Sequence, residues 1–438
     1  MTDTRPNTDA SGSLPRWSVA DVHDSMTSRT FVDAMEHGQA ELARLEALFE
    51  EHDIRAVTPR TPTEADCDAA AAAIDQYNSV AQQIGELQAY VYATVSTDTR
   101  DEQAGALLAE LEMRDAQLRP LLARFADWTH ALGPDALAVG NDVAKDHLGP
   151  MLRLAERSAH QMSEPEEHLY AELTNTGSSA WYKLQRDVTS QLTADVELPT
   201  GTTRLPMTAV RGLATDPDPA VRQAGYAAEM RAWPEIATAC AAAMNAIKGE
   251  ANAVNRRRAW ASPLDASLYG NAVSRATFDA MQSAIDVALP RLRSWMRTKA
   301  RLHGHGGPLP WSDLFAPLPV SAGRITWAEG VGLVRNAFAS YSAPLAGLVD
   351  RALGEQWIDV EPREGKVGGA FCMSFVDDRS LVLLNWNGSF DAAQTTAHEL
   401  GHAYHNTQLA QRTPLQRRVP MALAETCLLY TSPSPRDS

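Results

Sequence analysis

The hydrophobic positions of this chain recur mainly at helical spacing. Met35, Leu42, Leu45 and Phe49 fall on one stripe, and Ile74, Tyr77, Ile84, Leu87 and Val91 on another. Amphipathic stretches rich in Ala and Leu continue at about 100–131, 163–175, 217–256, 275–302 and 326–352. Ser163 with Glu166 has the form of a capping box that would open one of them. Such stripes predict helices packed against one another. Extended segments are few. Val196 to Pro206, with Thr200-Gly201 inside it, predicts a hairpin. Trp357 to Val360, Gly369 to Phe375 and Leu381 to Trp386 predict short strands, with turns at Gly365, Asp377 and Asp378. No fixed-period repeat is present. The pattern predicts a mainly α fold of many helices with one small β-sheet near residue 370.

Composition narrows the partners. Lys plus Arg total 39 against 55 Asp plus Glu, a formal charge of −16. That balance argues against nucleic acid and anionic membrane, which need a basic face for phosphates. No apolar run approaches the roughly 18 residues of a membrane span, and Met1 to Pro15 has no apolar core of a secretory signal. Cys67, Cys240, Cys372 and Cys427 form no CxxC pair, which fits a reducing cytoplasm better than a disulfide framework. The expected organisation is a disordered N-terminus at 1–16, a helical domain at 17–205 and a second domain at 206–426 that carries the chemistry. Pro206 and Asp216-Pro217-Asp218-Pro219 mark the change between the two.

Three of the twelve histidines crowd into His398-Glu399-Leu400-Gly401-His402-Ala403-Tyr404-His405. On a helix His398 and His402 lie one turn apart on one face, so both imidazoles can reach one ion. Glu399 sits about 100° round from His398, near enough to act on a water there without binding the ion. Neutral imidazole suits Zn²⁺, and a catalytic zinc needs a third protein ligand and an open position. Asp391 could cap this helix, and Gln394 to Leu409 contains no proline. A further carboxylate, Glu425, follows a loop punctuated by Pro414 and Pro420, in Met421-Ala422-Leu423-Ala424-Glu425-Thr426, which begins like another helix. A metzincin would need a third His at position 408, which is Gln. His405 lies about 10 Å along the axis from His398, which makes it a cleft-lining residue rather than a ligand. Leu381 to Trp386 reads as an edge strand able to pair with an extended peptide, and Lys366 with Arg363 as a surface pair.

The block around His398 resembles the active-site motif of the thimet-oligopeptidase and oligoendopeptidase F family of zinc metallopeptidases, the oligoendopeptidase F branch in particular. The resemblance is carried by Asp359 to Ala370, by Leu384-Asn385-Trp386-Asn387-Gly388, by Thr395 to His402 and by Ala424-Glu425-Thr426. Weaker echoes lie at Trp17, at Gly177 to Leu184, at Arg258 to Asn271 and at Leu309 to Leu314, so the similarity runs from about 17 to 426. It implies a mostly helical, clam-like zincin with a small sheet beside the HExxH helix and a deep channel. It also implies one Zn²⁺ per chain on His398, His402 and Glu425, with Glu399 as general base. The activity implied is zinc-dependent cleavage of internal bonds in short, unstructured peptides. Gly369, Ala370, Phe371, Leu384, Asn385 and His405 are the candidate substrate-binding residues. The alternatives are a zinc carboxypeptidase or aminopeptidase, for which no group that recognises a free terminus is evident, and a non-catalytic helical scaffold that binds peptides. The presence of Glu399, which zinc binding alone does not require, argues against the scaffold.

The last residues, Cys427 to Ser438, place Pro433 and Pro435 where a helix should continue. They also resemble a translated transposase adapter. The expectation is that 427–438 is foreign to the fold, that the native stretch ends at Thr426, and that family members continue well beyond it. On that expectation the chain as written binds zinc weakly, is poorly soluble and has little peptidase activity.

Overall fold

The computed structural model describes residues 14–318 and 323–428. The helical stripes become helices with defined starts. Arg29–Glu51 is capped by Ser28, Glu64–Thr97 by a capping box of Thr63 and Asp66, and Glu102–Leu132 by Asp101. Each cap satisfies backbone N–H groups that have no partner within the helix. These three helices bury Leu42, Leu45, Ile74, Leu121 and Trp128 in one cluster. Ser163 and Glu166 close the expected box ahead of Glu164–Thr174. Pro219–Arg257 and Arg275–Leu302 follow. The apolar stretch at 326–352 is two helices, Trp327–Tyr341 and Ala343–Gly354, broken at an extended Ser342. Pro344 falls in the first turn of the second helix, where its missing N–H would have no partner anyway, and so favours a new start there.

Two small sheets complete the fold. β1 (Thr193–Leu198) and β2 (Gly201–Pro206) form the expected hairpin. β3 (Ile358–Asp359), β4 (Phe371–Ser374) and β5 (Ser380–Leu383) form a second sheet in the order β3-β5-β4, with β5 parallel to β3 and antiparallel to β4. The segment beginning at Leu381 is therefore central, not an edge. All four residues of β5 are buried, and beyond it Leu384 N–H donates to Asp359 O at 2.8 Å and Trp386 N–H to Val360 O at 3.0 Å. No extended peptide can add there, because the backbone groups are already used. In this sheet the strand flanking β5 on the site side is β4.

The helix Phe390–Leu409 lies on this sheet and buries Ala393, Ala397, Leu400 and Ala403 in a cluster with Val382, Leu384, Trp386, Trp357 and Phe338. Leu14 is buried in the same cluster, Pro15 O accepts from Val360 N–H, and Arg16 pairs with Glu361. Leu14 to Arg16, inside the segment expected to be disordered, are thus anchored; residues 1–13 lie outside the described residues. At the other end Met421–Leu428 is helical through Cys427 and Leu428, and the rest of the expected foreign tail lies outside the described residues. Among the described residues no helix is long and apolar enough to cross a membrane.

Candidate metal centre

The site helix starts where the sequence turns sharply. Gly388 adopts φ +77, a conformation that side-chain-bearing residues rarely take. The cap is Ser389, whose Oγ accepts from Ala392 N–H at 3.0 Å, and not Asp391, which lies in the first turn and lines a cavity. The reason is one of register: an N-cap must precede the first helical residue, Phe390. Asn387 fixes this start in space. Its Nδ2 donates to Gly212 O and Thr215 Oγ1, and its Oδ1 accepts from the Ser389 N–H and hydroxyl.

The apolar face of the helix turns inward and leaves His398 and His402 on the other side. Their rings meet edge to face with centroids 4.8 Å apart. Glu425, on the helix Met421–Leu428, reaches both: Oε2 is 3.4 Å from His398 Nε2 and Oε1 is 3.6 Å from His402 Nε2. The three donor atoms lie within 4.8 Å of one another. Four ligands arranged tetrahedrally at Zn–N and Zn–O lengths of about 2.0–2.2 Å stand about 3.3–3.6 Å apart, so both Glu425–histidine separations match that ion and the set as a whole is slightly wider than a closed site. Burial holds His402 below its ordinary pKa, with the Glu425 charge opposing, which favours the neutral imidazole that a ligand must be. Asn271, whose Oδ1 accepts from Ala422 N–H at 3.1 Å, anchors the first turn of the Glu425 helix. It lies in a segment singled out for its resemblance, but nothing in its type announced this role.

Glu399 is buried and stands outside the donor set. Burial, aided by the Glu425 charge, pushes its carboxyl up to about 7. It borders two cavities. One, of about 940 Å³, is lined also by Gly369, Ala370, Leu384, Asn385 and Asp391. The other, of about 420 Å³, is lined by Ala370, Phe371, His398, His402, His405 and Glu425. The candidate substrate residues are thus divided between two spaces that share Ala370 and Glu399.

Their backbones differ in what they can offer. Leu384 N–H is bonded to Asp359 O and its carbonyl accepts from Lys366 Nζ at 2.6 Å, so Leu384 has no backbone group left for a peptide. Asn385 Nδ2 donates to Val367 O and Gly369 O and props the turn at Gly369, which has φ +81. Among the described residues the N–H groups of Gly369 and Ala370 have no protein partner. Lys366 and Arg363 are not a surface pair. Lys366 is fully buried, with Nζ 2.6 Å from Asp359 Oδ1, and Arg363 grips the same carboxylate at 2.8 and 3.0 Å.

Residues 345–427, which contain β3 to β5, the site helix and Glu425, match the model of Peptidase family M3. The chain is 24% identical over 367 residues to an oligoendopeptidase F homolog of Lactococcus lactis subsp. lactis (strain IL1403), covering 79% of this chain and 59% of the relative. The chain is similar to oligoendopeptidase F over most of its length and matches a peptidase family M3 domain at 345–427. A chromosomal oligoendopeptidase F of Lactococcus lactis subsp. cremoris is 30% identical over 169 residues, covering 38% of this chain and 28% of the relative. The crystal structure of oligoendopeptidase-F from Enterococcus faecium superposes with a TM-score of 0.59 at 16% identity, covering 93% of this chain and 68% of that one. The mostly helical fold with small sheets is therefore that of oligoendopeptidase F structures. The chain spans 59% of the length of the first curated relatives it matches. Within it, the M3 domain holds every candidate ligand, the candidate base and the strand β4.

Proposed function

We propose that the M3 domain of this chain holds one Zn²⁺ on His398, His402 and Glu425 and belongs to an endopeptidase of short, unstructured peptides. The observation that carries the proposal is the meeting of three donor atoms from two helices beside a buried carboxylate that is not one of them. A bound Zn²⁺ would supply Lewis-acid polarisation of the scissile carbonyl and of a water. Glu399 takes the proton of the attacking water and passes it to the leaving amine. The free N–H groups of Gly369 and Ala370 hold the substrate backbone beside β4. His405 lines the cleft. A cytoplasmic setting accords with Cys67, Cys240 and Cys372, which are free thiols.

Cleavage of internal bonds is favoured over exopeptidase action because two separate cavities border Glu399, room for substrate beyond a single closed end. A site that trims ends closes on one side. Digestion of a short quenched peptide blocked at both ends, with products mapped by mass spectrometry, tests this. The expected result is cleavage at internal bonds. Cleavage that appears only after one end is unblocked would show an exopeptidase, and peptide binding without any cleavage would favour the scaffold.

A further inference from the structure

The chain carries a net charge of −16, yet one cavity of about 330 Å³ is lined by four arginines, Arg119, Arg157, Arg258 and Arg418, together with Asp115 and Tyr170. They come from separate places in the chain: two different helices, the residue after Pro219–Arg257, and the loop before the Glu425 helix. Two of them are committed. Arg258 donates to both oxygens of Glu167 at 3.0 and 2.6 Å, and Arg418 donates to the Tyr77 hydroxyl. Arg119 and Arg157 have no hydrogen-bond or ion-pair partner among the described residues, and neither does Asp115. Four cations against the carboxylates of Asp115 and Glu167 leave an excess of positive charge. Arg157 is half-buried, and burial with the charges of Arg258 and Arg418 disfavours its own. Guanidinium groups gathered around one space repel one another, and an anion between them relieves that repulsion. The forked guanidinium matches a carboxylate in shape and charge.

The cavity neighbours the candidate metal centre. Arg417 lines the space that contains His398, His402 and Glu425, and Arg418, the next residue, lines the arginine cavity. A further cavity of about 460 Å³ shares Asp115 and Arg119 with it and reaches Met373 on β4.

We propose that the arginine cavity binds a carboxylate of the peptide substrate, from its C-terminus or an acidic side chain, and so selects peptides that carry one at a distance from the scissile bond. This rests on the peptidase reading of the M3 domain. The test uses a short fluorescent peptide in three forms: free C-terminal acid, C-terminal amide, and amide with glutamate as its last residue. Their affinities for the Glu399→Gln protein are compared by anisotropy. The acid, the glutamate form or both should bind about tenfold more tightly than the plain amide, and which of them does identifies the source of the carboxylate. Arg157→Gln and Arg119→Gln should each remove most of that preference and leave the affinity of the plain amide unchanged. Arg119 is exposed and unbonded, so its variant reports even where Arg157→Gln fails to fold. Equal binding of all three peptides overturns the inference and leaves the peptidase reading standing. A preference that survives both substitutions also overturns it, and failure of every peptide to bind overturns both.

Discussion

At the scale of single residues, the sheet beside the site depends on a buried cation. Lys366 Nζ donates to Asp359 Oδ1, Asp359 O, Glu361 O and Leu384 O, and so ties β3 to the chain that leads into the site helix. Burial outweighs the attraction of Asp359 and brings the lysine down to about 8. Lys366→Met takes one donor from each of three carbonyls and from a carboxylate that Arg363 still holds, and should cost about 1–3 kcal/mol, read as a lower urea midpoint. The pH dependence has a definite sign. Between pH 8 and the ordinary lysine value of 10.5 the unfolded chain binds the proton more than the folded chain does. This group's contribution to stability is therefore complete above about 10.5 and falls as pH drops through about 8. The wild type should gain stability relative to Lys366→Met as pH rises through that window; a constant difference would contradict the assignment. None of this was legible in the sequence. Lysines are usually exposed, and the atoms that satisfy this one come from strands paired only in the tertiary fold.

At the scale of elements, the site helix was the most legible part of the chain. His398, Glu399 and His402 fix their relative directions once the segment is helical, and the apolar positions 393, 397, 400 and 403 face the sheet as their spacing requires. Strand order was not legible in the same way, because alternation says which face is buried and not which strand lies between two others. One signal pointed to the centre all the same: Leu381-Val382-Leu383-Leu384 is continuously apolar, as strands covered on both faces are. The helix Trp327–Tyr341 seats against the strand-to-helix connection through Gly330. A Cβ there would stand 2.3 Å from Trp386 Cη2, and Trp386 is itself buried and packed edge-on against Trp327. Gly330→Ala gains up to about 1 kcal/mol of helix propensity but forces an overpacked contact costing about 1–3 kcal/mol. The contact should win. A lower melting temperature than wild type is expected, and an unchanged or higher one would show that Trp386 can yield.

At the scale of the molecule, two helices separated in sequence by a proline-punctuated loop must meet for the donor set to exist. The loop is held by Asn78, which accepts from Leu415 N–H, and by His147, which bonds to Thr413. Its anchors thus lie in the N-terminal helices, more than two hundred residues away in the chain. Composition showed a mainly helical acidic protein but not where its few cations gather, since Arg119, Arg157, Arg258 and Arg418 become neighbours only through packing. The apolar residues Ile285, Val287, Leu292 and Trp295 of Arg275–Leu302 remain exposed; amphipathic spacing alone gave no sign that this helix face would lack a cover.

The most direct measurement is the zinc affinity of the wild type beside Glu399→Gln, His398→Ala and Glu425→Ala, by competition with a chromophoric chelator. Glu399→Gln should bind zinc as the wild type does, whereas each of the other two should bind it about a hundredfold or more weaker. Loss of zinc in Glu399→Gln to the same degree, or wild-type affinity in His398→Ala or Glu425→Ala, would contradict the assignment of ligands and base.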